Sequence, residues 1–98
     1  MTVYFVSRHP ATQKWVKGQE IKIDVWLEHL SDLSCLNQGD TVYGTLPIQI
    51  VAELGKIGVR YGHFSLNIPP QLRGVELNSV QLLTCNPTIY FFKVMPDD

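Results

Sequence analysis

No stretch of this chain approaches the roughly 20 consecutive apolar residues that cross a bilayer. No basic-then-apolar leader stands at the front either, since Met1-Thr2 runs directly into Val3. A membrane partner is not expected, and the chain reads as cytoplasmic. Excess positive charge is missing too. Eight Lys and Arg stand against nine Asp and Glu, a formal net charge of -1. Proteins that grip long nucleic acids draw affinity from phosphate neutralisation and counterion release, and they carry a basic surplus. Long DNA or RNA is therefore not expected as a partner, although a few focused cations would suffice for a small anion. Cysteine is scarce. Cys35 and Cys85 lie far apart without C-x-x-C or Cys/His spacing, and the three histidines form no H-x-x-x-H pair. Neither a disulfide framework nor a metal cluster is indicated. A glycine-rich phosphate loop of either familiar type is lacking, so no cofactor is expected.

What is present is ordinary globular material, 45% hydrophobic and 17% charged over 98 residues. Residues 1–98 read as a single domain. A chain of this size buries about 60–65% of its unfolded surface. A second copy would add burial and help to build a ligand site, so a homodimer is expected.

The hydrophobic pattern switches between strand and helix. Val3-Tyr4-Phe5-Val6 is a short continuous apolar run, as in a strand buried on both faces of a parallel sheet. Pro10–Lys17 reads as a short helix stopped by Gly18 in a left-handed conformation. Ile21, Ile23, Val25 and Leu27 alternate with polar residues and Trp26, which predicts a strand with one apolar face. Residues 28–40 read as irregular, and Gly39-Asp40 as a turn. The clearest unit follows. Thr41–Gly44 is a strand and Ile48–Ile57 a helix whose Gln49, Glu53 and Lys56 share one polar stripe. Gly58 ends that helix and Val59–Leu66 is the next strand, completing a βαβ unit of right-handed crossover. The segment 67–78, with Pro69, Pro70 and Gly74, reads as a long loop. A short helix at Ser79–Cys85, capped by Asn78 or Ser79, and a last strand at Thr88–Met95 complete the chain. The expected fold is a small Rossmann-like α/β domain in three layers, with a mostly parallel sheet of about five strands.

Two turns in this pattern match. In each, an apolar strand enters a polar turn and a proline opens a helix: Ser7-Arg8-His9-Pro10 after the first strand, Thr45-Leu46-Pro47 after the third. Free N–H groups at helix starts favour an anion. If both strands lie in one parallel sheet, the two starts meet at its carboxyl edge, where open α/β sheets bind ligands. Arg8 can fork onto two phosphate oxygens, Ser7 can donate to a third, and His9 adds an imidazole able to give or take a proton. Thr45 and Leu46 occupy the matching turn. In the long loop Arg73 is the only cation, placed to fold over a ligand or to pair locally with Glu76. His29 ends the second strand, and His63 shares a strand face with Val59 and Tyr61, the usual setting of a packed histidine. Tyr43 reads as a core strand residue, and Trp15 and Trp26 as packing or dimer-interface residues.

Val6-Ser7-Arg8-His9-Pro10-Ala11-Thr12 resembles the Arg-His-Gly start of the histidine phosphatases, with proline in place of the glycine and a chain shorter than that family's. A resemblance over nearly the whole chain is to the Csx-sixteen family of small type III CRISPR accessory proteins. It rests on Phe5-Val6-Ser7-Arg8-His9-Pro10, Trp15, Glu28-His29-Leu30, Gly39-Asp40-Thr41-Val42-Tyr43-Gly44-Thr45-Leu46-Pro47 and Arg73-Gly74-Val75-Glu76-Leu77, in that order. It implies a domain related to the CARF sensor domains that bind cyclic oligoadenylates. It also implies a metal-independent ring nuclease that linearises cyclic tetra-adenylate (cA4) and switches antiviral signalling off. With that activity, Ser7, Arg8 and His9 are the expected catalytic residues, and Thr45, Leu46, Arg73 and Glu76 the expected ligand-binding ones. A protein that binds the ring without cutting it, and a phosphatase-like phosphoesterase, are the alternatives.

Overall fold

A computed structural model describes residues 1–97. In chain order its elements are β1 (Val3–Val6), α1 (Pro10–Lys17), β2 (Val25–Leu27), β3 (Thr41–Gly44), α2 (Ile48–Ile57), β4 (Arg60–Ser65), α3 (Ser79–Thr84) and β5 (Thr88–Phe92), with a single 3-10 turn at Pro70–Leu72 before α3. The five strands form one sheet in the order β2-β1-β3-β4-β5. β1 pairs in parallel with both β2 and β3, and β3 with β4, whereas β5 runs antiparallel along β4. This is the small Rossmann-like, three-layer architecture expected. Strand order reverses between β1 and β3, so a crevice opens there at the carboxyl ends of the strands.

Alternation along the strands builds the two outer layers. Phe5, Phe64 and Trp26 face one side and pack with Ala11, Trp15 and Val16 of α1 and Leu82 of α3. Phe5 sits at the centre of an aromatic cluster, its ring 5.4 Å from Trp26, 6.1 Å from Tyr43 and 6.3 Å from Phe64. Val6, Val42 and Tyr61 face the other side, against Val51 and Leu54 of α2 and Leu36 of the β2–β3 connection. Burial on both faces explains why β1 reads as an unbroken apolar run.

Two glycines set how closely the strands approach. A Cβ on Gly44 would lie 2.9 Å from the Val6 carbonyl oxygen, so β3 nears β1 at the switch point only because the side chain is missing. A Cβ on Gly62 would lie 2.5 Å from Cδ1 of Tyr43, whose ring fills that space.

Four local expectations are corrected. The second strand holds only Val25–Leu27, because a side chain replaces the ladder just before it: Asp24 Oδ2 accepts from the Val3 N–H at 2.9 Å. Gly18 has φ -82 rather than a left-handed φ, since α1 tightens into a turn in which the Gln19 N–H reaches the Val16 carbonyl at 3.0 Å. At α2 the proline is the cap, not the first helical residue; Gly58, with φ 87, ends that helix left-handed as expected. The last strand stops at Phe92, after which Val94 turns onto the α2 side of the core.

Candidate functional site

At the carboxyl edge of the sheet, above the β1–β3 switch point, lies an open cleft of about 890 Å³. Its walls come from four turns. Ser7, Arg8 and His9 follow β1, Glu28 and His29 follow β2, Thr45 and Leu46 follow β3, and His63 and Ser65 come from the end of β4. The matching turns predicted from sequence therefore stand side by side, and five of the seven expected site residues line one cavity.

Each turn has its own local logic. The Ser7 N–H continues the sheet by donating to the Leu27 carbonyl at 2.8 Å. Its Oγ accepts from the His9 N–H at 3.2 Å, and its carbonyl from the Gln13 side chain at 3.0 Å. Ser7 thus finishes the turn, with its hydroxyl proton still free to donate. Arg8 and His9 are exposed, and neither makes a salt bridge or side-chain hydrogen bond among the described residues. No side chain caps α1 or α2. Pro10 lacks an N–H, and the first intrahelical donors are Gln13 to His9 in α1 and Ile50 and Val51 to Pro47 in α2. The N–H groups of Ala11, Thr12, Ile48 and Gln49 are left without a capping acceptor, the arrangement that attracts an anion, and Thr12 and Pro47 of these two helix starts line the cleft.

Thr45 acts differently from a helix cap. Its Oγ1 donates to the Phe64 carbonyl at 2.9 Å, tying the β3 turn to β4. Beside it runs a network that the sequence does not announce. The Tyr61 hydroxyl, in a residue 3% exposed, lies 3.0 Å from the Leu46 N–H, 3.0 Å from the Gly44 carbonyl and 2.6 Å from Nδ1 of His63. Burial pushes the Tyr61 phenol above its ordinary value, against a smaller opposing effect of the Leu46 N–H, so the group stays a neutral O–H. The turn that starts α2, the end of β3 and an imidazole in the cleft are joined through one oxygen.

Arg73 and Glu76 do not line the cleft. Both are exposed on the segment after the 3-10 turn, and they form no ion pair; the salt bridge among the described residues is Lys56–Glu53 at 3.2 Å. Trp15 and Trp26 pack in the core as expected. Cys35 is exposed and Cys85 buried, both free. Among the described residues no group of three His, Cys, Asp or Glu side chains converges as for a metal ion, and no helix is long and apolar enough to cross a membrane.

Sheet order and cleft together define a doubly wound α/β domain with an open crevice at its topological switch point. The family described as "Putative CRISPR-associated protein (Cas_VVA1548)" matches residues 4–95, from the second residue of β1 to beyond the end of β5. The chain belongs to that family of CRISPR-associated proteins. Comparison with curated proteins and with solved structures gave no match.

Proposed function

We propose that the chain is a ring nuclease of type III CRISPR systems, a CARF-like domain that binds cyclic tetra-adenylate in the switch-point cleft and linearises it. The observation carrying this reading is the cleft itself, where two uncapped helix starts converge with Arg8, His9 and Ser7. Membership of a CRISPR-associated family points the anion toward a signalling nucleotide. Sites for drug-sized ligands measure about 300–1,000 Å³. One cleft of about 890 Å³ falls within that range, and a ring of four nucleotides is larger than a drug. Two copies related by a two-fold axis would present the cleft twice to a ring of matching approximate symmetry.

Linearisation needs no external nucleophile. A ribose 2′-oxygen attacks the adjacent phosphorus, the bond from phosphorus to the 5′-oxygen breaks, and the products are a 2′,3′-cyclic phosphate and a 5′-hydroxyl. Holding the attacking and leaving oxygens in line is worth up to about 7–11 kcal/mol. In this reading Arg8 and the N–H groups of both helix starts hold phosphate and offset its developing charge. Ser7 orients a phosphate oxygen, and His9 exchanges a proton with the reacting oxygens. Arg73 and Glu76 would reach the ring only by movement of their loop or from the second copy.

The test is to incubate the purified protein with cyclic tetra-adenylate in EDTA and follow the products by chromatography. Linear products ending in a 2′,3′-cyclic phosphate are expected. An intact ring retained by the protein would instead make it a binder. An intact ring that does not bind would refute the reading.

A further inference from the structure

The Tyr61 network fixes where the protons lie. Its hydroxyl has one hydrogen and three partners. The Leu46 N–H can only donate and the Gly44 carbonyl can only accept, so Tyr61 receives from the first and gives its hydrogen to the second. The third contact, 2.6 Å from Nδ1 of His63, then requires that nitrogen to bring its own hydrogen. If Tyr61 instead gave its hydrogen to His63, the Gly44 carbonyl would face a lone pair at 3.0 Å. Neutral His63 is therefore held as the tautomer with Nδ1–H bonded to Tyr61, leaving the lone pair on Nε2. Among the described residues Nε2 has no hydrogen-bond partner.

The ring is fixed as well as oriented. It packs between the Tyr61 ring, at 5.7 Å, and the edge of Phe92, at 6.0 Å, and the residue lines the cleft. Gaining a proton at Nε2 breaks none of these contacts, because the Nδ1–H bond to Tyr61 serves the neutral and charged forms alike. That property suits a group that must take up a proton during a reaction.

We propose that His63 is the general base of this site and Tyr61 its positioning residue. The proposal rests on the ring-nuclease reading and deepens it. His63 Nε2 takes the proton of the 2′-hydroxyl as that oxygen closes on phosphorus. The departing 5′-oxygen receives its proton from the His9 imidazolium, on another wall of the same cleft. One proton is taken up and one released, the diester exchanges one ester bond for another, and no further reactant is consumed. After product release, transfer of a proton from His63 to His9 through solvent restores both groups. The proton count also explains the position of the pair. Gly44 O and Leu46 N belong to the very turn that offers Thr45 and the α2 helix start to the ligand, so the base is registered to the phosphate site by two backbone bonds.

Single-turnover cleavage of cyclic tetra-adenylate by excess protein, with calorimetric binding measured separately, tests this. His63→Asn keeps an amide N–H where Nδ1–H stands but has no base; it should bind the ring normally and cleave about 10²–10⁴-fold more slowly. His63→Ala should be as slow and should recover in part with added imidazole, which a merely structural role would not allow. Tyr61→Phe should slow cleavage without imidazole rescue. Cleavage by His63→Asn within about threefold of wild type would overturn the proposal while leaving the ring-nuclease reading intact. A wild-type protein that leaves the ring uncut would overturn both. Nitrogen-15 NMR of the free protein gives a second, activity-independent reading: Nδ1–H on neutral His63 is expected, and Nε2–H would refute the assignment.

Discussion

Replacing Gly44 and Gly55 by alanine, one at a time, should move stability in opposite directions. At Gly44 the new Cβ would stand 2.9 Å from the Val6 carbonyl oxygen and 3.3 Å from Val6 Cβ, where ordinary contact begins at 3.4 Å. Neither neighbour is the free end of a flexible side chain. Val6 and Gly44 are paired in register, so relief means prising β1 from β3 by about half an ångström at the switch point. Overpacking of this kind costs about 1–3 kcal/mol. At about 4–8 °C per kcal/mol for a domain of this size, the melting temperature should fall by about 5–20 °C. At Gly55, inside α2, the new Cβ would meet only the Val94 carbonyl oxygen at 3.7 Å, an ordinary contact. There the gain in helix propensity, about 1 kcal/mol, should raise the melting temperature by several degrees. Thermal unfolding followed by circular dichroism reads both. A Gly44→Ala protein as stable as wild type would refute the account of strand approach at the cleft, because that approach also sets the Gly44 carbonyl against Tyr61.

The carboxylate of Asp40, 3% exposed, accepts the N–H of Thr2 and that of Asn37 at 2.9 Å each, which holds its pKa below the ordinary 3.8. A depressed carboxylate stabilises the fold above its unfolded pKa, and that contribution is lost as pH falls through the folded value. Urea titrations should show Asp40→Asn less stable than wild type at pH 7, with the difference shrinking on acidification below the carboxylate range; a difference unchanged with pH would contradict this. Arg8→Ala should weaken cyclic tetra-adenylate binding about tenfold to a hundredfold, as expected for loss of a charged hydrogen bond worth about 1.5–3 kcal/mol. Calorimetry reads this, and the deficit should narrow as salt is raised.

Legibility followed the range of the interactions. β1, α1, β3 and α2 were readable because local signals agree there: a buried apolar run, a proline at the turn, and a polar stripe spaced for a helix. The capping box at α3 was half visible. The sequence offers Asn78 or Ser79 as the cap, and the structure selects Asn78, with its reciprocal bonds to Gln81. Where a distant partner decides, the sequence pattern failed. Alternation from Ile21 to Leu27 suggests a long strand, yet Asp24 crosses to Val3 and leaves three residues in the ladder. His63 reads from sequence as a packed strand histidine, and its ring does pack against Tyr61 and Phe92, but its hydrogen-bond network is not visible there. The role proposed for it depends on Gly44 and Leu46, far away in the chain and joined to it through Tyr61. The one available clue was the i, i+2 pairing of Tyr61 with His63 on a face whose strand ends at the predicted ligand edge. Arg73 and Glu76 follow a 3-10 turn at Pro70–Leu72 and do not line the cavity, a placement that no local pattern encodes.

The central claim is that a cyclic oligonucleotide sits over the β1–β3 switch point. Amide chemical shifts of the labelled protein, recorded as cyclic tetra-adenylate is added, test it most directly. The largest changes should fall on Ser7, Arg8, His9 and Thr12 at one helix start and on Thr45, Leu46 and Ile48 at the other, with His63 moving alongside them. Changes confined to the smaller groove between α2 and β5, at Gly55, Arg60 and Lys93, or no changes at all, would contradict it.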